Sequence, residues 1–234
     1  MVMGVGYNPR IVTDGLVLCL DAANKRSYPG SGTTWIDKVG GNNGTLTNGP
    51  TFSSDNGGSI VFDGTDDYIN IGSMITNINN AFTVEVYLRR TGNGTNWPRI
   101  FLNGQVNTSI TITQYNNTTG VLFRIIPTSG SWIEYNLPTG TMVNNQWLSL
   151  SFSYEGSIMR AFINGVEYGS GYSISKTITT PTSENPYIGG DGNSAGDPSG
   201  SSFEGHISNV RVYNRALSAN EVLQNYEATK GRYA

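Results

Sequence analysis

Residues 203–226 read Phe-Glu-Gly-His-Ile-Ser-Asn-Val-Arg-Val-Tyr-Asn-Arg-Ala-Leu-Ser-Ala-Asn-Glu-Val-Leu-Gln-Asn-Tyr, a strand pattern that runs directly into a helix pattern. In the first half, apolar and polar side chains alternate, with one break in register. The alternation passes through Ile207, Val210, Val212 and Tyr213. A period of two is typical of a strand with one buried face. The segment therefore predicts a long strand near the end of the domain.

The helix that follows this strand has its own start signal. Ser218 and Glu221 have the spacing of a capping box, in which each side chain satisfies a free backbone donor at the start of the helix. An apolar stripe is predicted at Val222, Leu223 and Tyr226. We therefore expect one short helix with a single apolar face.

Strand patterns recur along most of the chain. In residues 82–88 and 148–154, apolar and polar side chains alternate, which predicts one buried face and one face toward solvent or a groove. Asn164-Gly165 predicts a tight hairpin, because both residues tolerate the positive φ angles of a type I′ turn. The predicted strands are 16–20, 59–63, 67–71, 82–89, 99–103, 108–114, 121–126, 131–136, 147–154, 158–163, 166–169, 174–178, 186–188 and 205–213. The pattern predicts an all-β, two-sheet antiparallel sandwich with one short C-terminal helix.

The chain is expected to form a single domain. Its 234 residues contain no internal repeat or linker that would divide them. We assign residues 14–234 to the domain and residues 1–13 to an N-terminal arm, for which the sequence indicates no partner within the domain. The least regular segments, 22–58 and 189–202, are predicted to be long loops, which are often functional.

Composition and charge exclude several classes of protein. The net charge is -3 and the basic residues do not cluster, so a nucleic acid, which needs several cations on one surface, is not an expected partner. The single cysteine, Cys19, lies in an apolar run and is predicted to be buried. The sequence has no apolar run of the roughly 18 residues that span a membrane and no signal-peptide pattern at its start. We expect a soluble protein that is made in the cytoplasm and becomes extracellular only after lysis.

Four blocks of sequence resemble the laminin-G-like domains of the concanavalin A-like lectin and glucanase superfamily. Their order and spacing carry the resemblance, which implies a jelly-roll of two curved antiparallel sheets. Members of this family are binding modules and, more rarely, glycosidases. The blocks are Asp-Gly-Leu-Val-Leu-Cys-Leu-Asp-Ala at 14–22, Ser-Ile-Val-Phe-Asp-Gly at 59–64 with Asp-Tyr-Ile at 67–69, Trp-Leu-Ser-Leu-Ser at 147–151 with Phe-Ile-Asn-Gly-Val at 162–166, and the closing strand.

A narrower resemblance concerns the two ends of the chain. Residues 7–17 and residues 214–233 are similar to the ends of tailed-bacteriophage proteins that carry this domain. This resemblance implies a virion component, such as a capsid decoration or a tail or fibre protein, located on the virion surface. Its implied partners are other virion subunits, further copies of the chain in a homo-oligomer such as a trimer, and polysaccharides of the host surface.

The sequence offers no set of catalytic residues. The glucanases of this superfamily carry Glu-x-Asp-x-x-Glu on one strand, where the spacing directs the carboxylates into one groove. Glu85 is the nearest counterpart, but no acid occupies position 87, 89 or 90. His206 is the only histidine and has no acidic or nucleophilic neighbour in sequence that could complete a catalytic pair. We therefore predict that the protein is not an enzyme, with a glycoside hydrolase as the less favoured alternative.

Calcium is the metal that the sequence favours most. Hard cations bind carboxylate and carbonyl oxygens on turns, and Asp63, Asp66 and Asp67 lie on one predicted turn. Asp21 lies at another strand end and completes the predicted ligand set, while Asp191 and Asp197 are further candidates. The alternative is that these Asp residues only form turns.

Aromatic and amide side chains between residues 96 and 136 suggest carbohydrate binding. Sugars stack an apolar face on aromatic rings and bond their hydroxyls to amides and carboxylates. The predicted sugar-binding residues are Trp97, Tyr115, Trp132 and Tyr135 with Asn103 and Gln114, and Asn96, Asn107, Asn116 and Asn117 lie among them. Two alternatives stay open: the aromatic residues fill the core, or the domain is an assembly protein that binds no sugar.

Overall fold

Sixteen strands and one α-helix occur in the part of the chain that the structure describes. The computed structural model describes residues 9–72, 75, 78, 81–104, 110–115, 118–127, 131–174, 185–192 and 201–233. In chain order the elements are β1 (Leu16–Asp21), β2 (Thr34–Trp35), β3 (Gly44–Thr47), β4 (Thr51–Ser53), β5 (Ser59–Asp63), β6 (Tyr68–Ile71), β7 (Ala81–Arg90), β8 (Arg99–Asn103), β9 (Ile110–Gln114), β10 (Val121–Ile125), β11 (Ile133–Leu137), β12 (Trp147–Glu155), β13 (Ile158–Ile163), β14 (Val166–Ser173), β15 (Tyr187–Ile188), β16 (Glu204–Tyr213) and α1 (Ala219–Lys230). The predicted strand 174–178 falls mostly outside the described residues.

The strands form two eight-stranded antiparallel sheets. The first sheet has the order β14-β13-β12-β7-β16-β5-β4, and β1 also pairs with β16. The second sheet has the order β11-β10-β9-β8-β15-β6-β3-β2. Two packed antiparallel sheets with strands exchanged between them form a jelly-roll sandwich, so the predicted fold class is confirmed.

The closing strand β16 lies inside the first sheet. It pairs with β7 on one side, and on the other side it pairs with β5 through its first half and with β1 through its second half. A β-bulge between Ile207 and Asn209 confirms the predicted break in register. Because of this extra residue, Ile207 and Val210 both reach the core although they are three positions apart.

The side chains between the sheets form the main core. On β7, Phe82, Val84 and Leu88 are fully buried, as their alternation predicted. The ring of Phe123 on β10 stacks on Phe152 of β12 with centroids 4.5 Å apart, which brings the second sheet against the first. Burial of one such side chain contributes about 1.5–3 kcal/mol to the free energy of unfolding. This layer is therefore the main source of stability.

The start of α1 is as predicted. The Ser218 hydroxyl accepts a hydrogen bond from the Glu221 N–H, and the Glu221 carboxylate accepts one from the Ser218 N–H, which confirms the capping box. Arg215 also donates to Glu221 at 2.6 Å, and this contact lowers the pKa of Glu221 to about 2. Among the described residues, no helix is long and apolar enough to span a membrane.

The face that α1 presents to the sheet differs from the predicted stripe. Its buried residues are Val222, Asn225 and Thr229. Val222 is buried as predicted, but Leu223 is 40% exposed and Tyr226 only partly buried, so the predicted stripe is wrong at these two residues. The reason is that α1 covers the polar outer face of the first sheet, where a buried amide finds hydrogen-bonding partners.

A polar layer separates α1 from the first sheet. Glu85 of β7 is buried and lies 3.6 Å from Arg211 of β16. Its carboxylate also accepts hydrogen bonds from the Asn225 side chain at 2.9 Å and from Ser151 at 3.4 Å. Burial raises the pKa of Glu85, while Arg211 and these hydrogen bonds oppose that shift. The helix therefore supplies a hydrogen-bond donor to the buried carboxylate of this ion pair.

The described part of the N-terminal arm has a partner within the domain. The Val12 N–H donates to the Asn225 side chain at 2.7 Å, and the Val12 carbonyl accepts from the Tyr213 hydroxyl at 3.0 Å. Gln224 donates to the Arg10 carbonyl at 2.7 Å. The expectation of an arm without an intradomain partner is corrected for residues 9–13, while residues 1–8 lie outside the described residues.

The segment 22–58, predicted to be a long loop, contains β2, β3 and β4. A buried carboxylate, that of Asp37, orders the chain around it. It accepts hydrogen bonds from four backbone N–H groups at 2.8–3.1 Å, those of Cys19, Val39, Gly40 and Asn42. Strands of two to four residues carry no extended alternation, so the sequence pattern did not predict them.

We predict that Asp37→Ala lowers the free energy of unfolding by about 2–4 kcal/mol, because several buried N–H groups lose a charged acceptor. Asp37→Asn, which keeps one carbonyl oxygen, should cause a smaller loss. Urea unfolding followed by circular dichroism measures both. Equal stability of Asp37→Ala and the wild-type protein would contradict this role of Asp37.

Candidate functional site

The four aromatic residues predicted to contact sugar lie at three separate places. Trp97 and Tyr115 contact each other edge to face, with ring centroids 5.2 Å apart and an interplanar angle of 81°. Trp132 lies just before β11 and has other neighbours. Tyr135 bridges the two sheets, because its hydroxyl donates to the Tyr168 carbonyl on β14 at 2.7 Å. Of the four, Trp97 and Tyr115 share one surface.

Trp97 and Tyr115 are separated from Trp132 by the length of β10. Tyr115 lies next to the partner of Val121, the first residue of β10, whereas Trp132 lies next to the partner of Ile125, the last. Four residues of strand span roughly 13 Å. One sugar ring therefore cannot contact both Tyr115 and Trp132.

A buried arginine holds the loop at 91–98, which carries the tryptophan of the pair. The guanidinium of Arg90 donates to the Gln114 side chain at 3.2 Å and to the side-chain oxygens of Asn93 and Asn144. Gln114 in turn donates to the Asn93 carbonyl at 3.0 Å. Arg90 is 2% exposed, and burial lowers its pKa. This network joins the loop at 91–98 to β9 and to the loop that contains Asn144.

Two of the amides predicted to bind sugar are buried instead. Gln114 is fully buried and its side chain is used within the Arg90 network. Asn103 is also fully buried, on the same face of β8 as the core residue Phe101. Neither faces solvent, which corrects the expectation that they form part of a sugar-binding surface. Asn96 is exposed beside Trp97, and Asn107, Asn116 and Asn117 lie outside the described residues.

The backbone of the loop is strained where it presents the indole. Asn96 and Trp97 have φ angles of 24° and 55°, in a region that L-residues rarely occupy. For a bulky residue such as Trp97 this conformation costs about 1–3 kcal/mol, and such strain clusters at binding sites. The Arg90 network can supply the contacts that maintain it.

Trp132 forms a separate exposed site on the second sheet. It is 49% exposed, and the guanidinium of Arg124 lies 3.9 Å from its ring centroid. Arg124 also pairs with Glu134 at 2.7 Å. One face of the indole is thus occupied by a cation, which leaves less of the ring for a sugar.

The structure brings together three of the four predicted metal ligands. Ligand oxygens of Asp63, Asp66 and Asp67 lie within 4.8 Å of one another. Asp21 does not join them, because its carboxylate binds Arg232 at 2.8 and 2.9 Å. Asp63 and Asp67 each also accept a backbone N–H from within the turn. Asp191 is buried and Asp197 lies outside the described residues, so a calcium ion at the three-aspartate turn stays a prediction.

Neither the buried Glu85 nor the turn with Asp63, Asp66 and Asp67 has the arrangement of the catalytic acids in a glycosidase. Glu85 lies beneath α1 and is 4% exposed, so a polymer cannot reach it. The three aspartates belong to one five-residue turn, whereas a glycosidase needs two carboxyl groups on opposite sides of the scissile bond.

His206 is a structural residue on the first sheet. Its Nε2 accepts from the Arg89 guanidinium at 2.8 Å, so the proton is on Nδ1, which donates to the Ser59 hydroxyl at 3.0 Å. Burial and the charge of Arg89 lower its pKa from 6.5 to about 4. The imidazole is therefore neutral at pH 7.

We predict that the protein loses about 1–2 kcal/mol of stability between pH 7.5 and pH 5 through His206. The folded pKa lies below the unfolded value, so this contribution is complete above pH 6.5 and is lost as the pH falls toward 4. Because His206 is the only histidine, His206→Gln should flatten the profile in this range. Urea unfolding at several pH values measures the slopes, and identical slopes would contradict the assignment.

A further aromatic cluster, on the outer face of the first sheet, was not predicted as a site. It consists of Tyr87, Trp147, Tyr226 and Tyr233. Tyr87 and Trp147 lie on the polar-facing sides of β7 and β12. Aromatic residues at such positions are the sequence signal that could have identified the cluster, but Tyr226 and Tyr233 join it only through the tertiary fold.

We predict that Arg90→Lys lowers the free energy of unfolding by about 2–4 kcal/mol, because one ammonium group cannot reach three separate side-chain acceptors. Arg26→Lys, at an exposed position, is the matched control and should change stability by less than about 0.5 kcal/mol. Urea unfolding of both variants tests this. The role of Arg90 would be refuted if the two changes were equally mild.

Comparison with known proteins agrees with this architecture. Two packed antiparallel sheets with aromatic side chains at their rims and outer faces define a lectin-like sandwich domain. Residues 63–223 match the laminin-G family of the concanavalin A-like lectin/glucanases superfamily, and the chain belongs to it. No curated protein matches the sequence.

Several solved structures share the fold at low sequence identity. Domain 4 of AbnA, an extracellular arabinanase from Geobacillus stearothermophilus, in complex with arabinotriose, has a TM-score of 0.65 and 19% identity, with 90% of this chain and 98% of that chain covered. The binding domain of Paraclostridial mosquitocidal protein 1 has a TM-score of 0.69 and 15% identity, with 91% and 52% covered. A Trypanosoma rangeli sialidase has a TM-score of 0.67 and 14% identity, with 93% and 34% covered. The chain also matches binding domains of botulinum neurotoxins, of which it spans about half, and all these similarities show the fold alone.

Proposed function

We propose that the protein is a non-catalytic adhesion domain that binds polysaccharide through Trp97 and Tyr115. The observation that carries this proposal is the contact between Tyr115 and Trp97, whose loop at 91–98 is held by Arg90. Tyr115 is 41% exposed and Trp97 is partly exposed, so both can offer apolar surface to a sugar. The exposed amide of Asn96 adds a hydrogen-bonding group beside them.

Physical chemistry favours a sugar over other ligands at this surface. The apolar face of a sugar stacks on aromatic rings, and its hydroxyls pair with amides. A loop already held in one conformation loses little entropy on binding. The domain of similar fold in complex with arabinotriose supports the same class of ligand.

We further propose that this adhesion serves a tailed-bacteriophage virion, with the polysaccharide on the host surface. This proposal rests on the resemblance of residues 7–17 and 214–233 to phage proteins. Other virion subunits would be its protein partners. The edge strand β14 supports such contacts, because Val166, Tyr168 and Tyr172 are exposed on it and β14 pairs only with β13 among the described strands.

We predict that Trp97→Ala and Tyr115→Ala each weaken polysaccharide binding at least about tenfold, which corresponds to about 1.4 kcal/mol. An array of bacterial surface polysaccharides identifies a ligand, and isothermal titration calorimetry then measures its affinity for each variant. Trp132→Ala is the matched control, because this tryptophan is exposed on the same sheet but belongs to another site.

Two results would overturn the proposal. Loss of binding in Trp132→Ala but not in Trp97→Ala would place the ligand elsewhere. Absence of any bound polysaccharide would favour the assembly alternative, and localisation on purified particles by immunoelectron microscopy would then test the virion role independently. Release of reducing sugar from a bound polysaccharide would instead indicate a glycoside hydrolase.

A further inference from the structure

A pocket of about 480 Å³ lies between the C-terminal end of α1 and the loop that precedes β12. This volume is within the range of small-ligand sites. Its walls are mainly aromatic and amide side chains. The lining residues are Tyr87, Asn145, Gln146, Trp147, Asn164, Tyr226, Lys230, Gly231 and Tyr233.

The aromatic walls form one continuous cluster. Tyr233 stacks on Tyr87 with centroids 4.0 Å apart and also contacts Trp147 at 4.6 Å. The ring of Tyr226 is parallel to that of Tyr87, within 4°, at the wider centroid distance of 6.4 Å. Tyr87 is 5% exposed, whereas the other three rings are partly exposed and form the open side of the cluster.

Polar groups suited to sugar hydroxyls surround these rings. The side-chain amides of Asn145 and Gln146 and the hydroxyls of Tyr87 and Tyr226 form no hydrogen bond within the described part of the chain. Asn164 accepts from the Ser149 N–H through its oxygen, and its amide NH₂ remains available. The pocket thus combines apolar faces with unused donors and acceptors.

Charge argues against a cationic ligand, which is the other common occupant of an aromatic cluster. The Arg89 guanidinium already lies 5.4 Å from the Trp147 ring centroid, and the Lys230 ammonium lies 5.6 Å from that of Tyr226. None of the described lining residues carries a carboxylate, and Glu227 outside the pocket is paired with Lys230. A second cation would be repelled, so a neutral or acidic ligand is favoured.

The fold holds these walls in place before any ligand binds. Trp147 donates through its indole N–H to Asn56 at 3.1 Å. Gly165 of the β13–β14 hairpin packs so closely on Tyr226 that a Cβ at this position would come within 2.9 Å of it. The φ angles of Asn164 and Gly165, 50° and 79°, are those of the predicted tight turn.

We propose that this pocket is a second saccharide subsite that accepts one sugar unit of a polysaccharide chain. The proposal rests on the proposed glycan-binding function, but it uses a different sheet and different residues. The two sites meet at Arg90, whose carbonyl accepts from the Asn145 N–H at 2.8 Å while its guanidinium holds the loop at 91–98. A polysaccharide could therefore contact both sites along one edge of the domain.

The test is a titration of the wild-type protein with four sugars at millimolar concentration, followed by ¹H–¹⁵N NMR. The probes are L-arabinose, D-galactose, N-acetyl-D-glucosamine and D-glucuronic acid. Trp147→Phe and Trp97→Phe assign the two indole signals. We expect at least one sugar to shift the Trp147 signal, with a Kd raised at least fivefold by Gln146→Ala and by Tyr226→Ala.

Controls separate this inference from the proposed function and from unfolding. Leu223→Ala, at an exposed position on α1, should leave the Trp147 response unchanged. Gln146 is exposed, so its truncation keeps the fold, and the melting temperature of each variant verifies this. Shifts at Trp97 alone would overturn the second subsite and leave the first intact. Shifts at Trp147 alone would support the pocket and count against the first site, and no shift at Trp147 with any of the four sugars would overturn the pocket.

Discussion

The buried guanidinium of Arg90 joins three parts of the chain at one end of the sandwich. Its acceptors are amide oxygens of Gln114, Asn93 and Asn144, so the positive charge is stabilised by dipoles. A guanidinium is planar and carries five N–H donors, so the side chain of Arg90 can hold three segments. The strained loop that presents Trp97 and the loop beside the aromatic pocket both depend on this contact.

A second constraint comes from the polar side chains that are buried on the outer face of the first sheet. Strands β7, β12 and β16 direct polar side chains away from the core, including the buried Glu85–Arg211 pair. A buried carboxylate in such a pair needs further hydrogen-bond donors, and α1 supplies the amide of Asn225. This cover removes the Glu85 carboxylate from solvent, and it leaves aromatic surfaces at the edge of the helix and at the rim of the second sheet.

Much of the fold could be predicted from alternation and turn chemistry. Phe82, Val84 and Leu88 were assigned to the core because a strand has a period of two, and the capping box placed the start of α1. The short strands β2, β3 and β4 escaped prediction because two to four residues carry no repeating pattern. The Asp37 carboxylate orders only the turn between β2 and β3. The stripe on α1 was mispredicted at Leu223, since the surface beneath the helix is polar.

The candidate sites, like the fold, could be predicted only in part from the sequence. The sequence by itself determined a β-sandwich with aromatic and amide side chains and without a catalytic triplet, because these properties follow from local spacing and composition. Only the tertiary structure decided which aromatic residues meet: it paired Trp97 with Tyr115, separated Trp132 from them, and assembled Tyr87, Trp147, Tyr226 and Tyr233 from two strands and the C-terminal segment. The reason is that a side chain's neighbours across a sheet or beneath a helix are set by strand order and helix placement, which local periodicity does not encode.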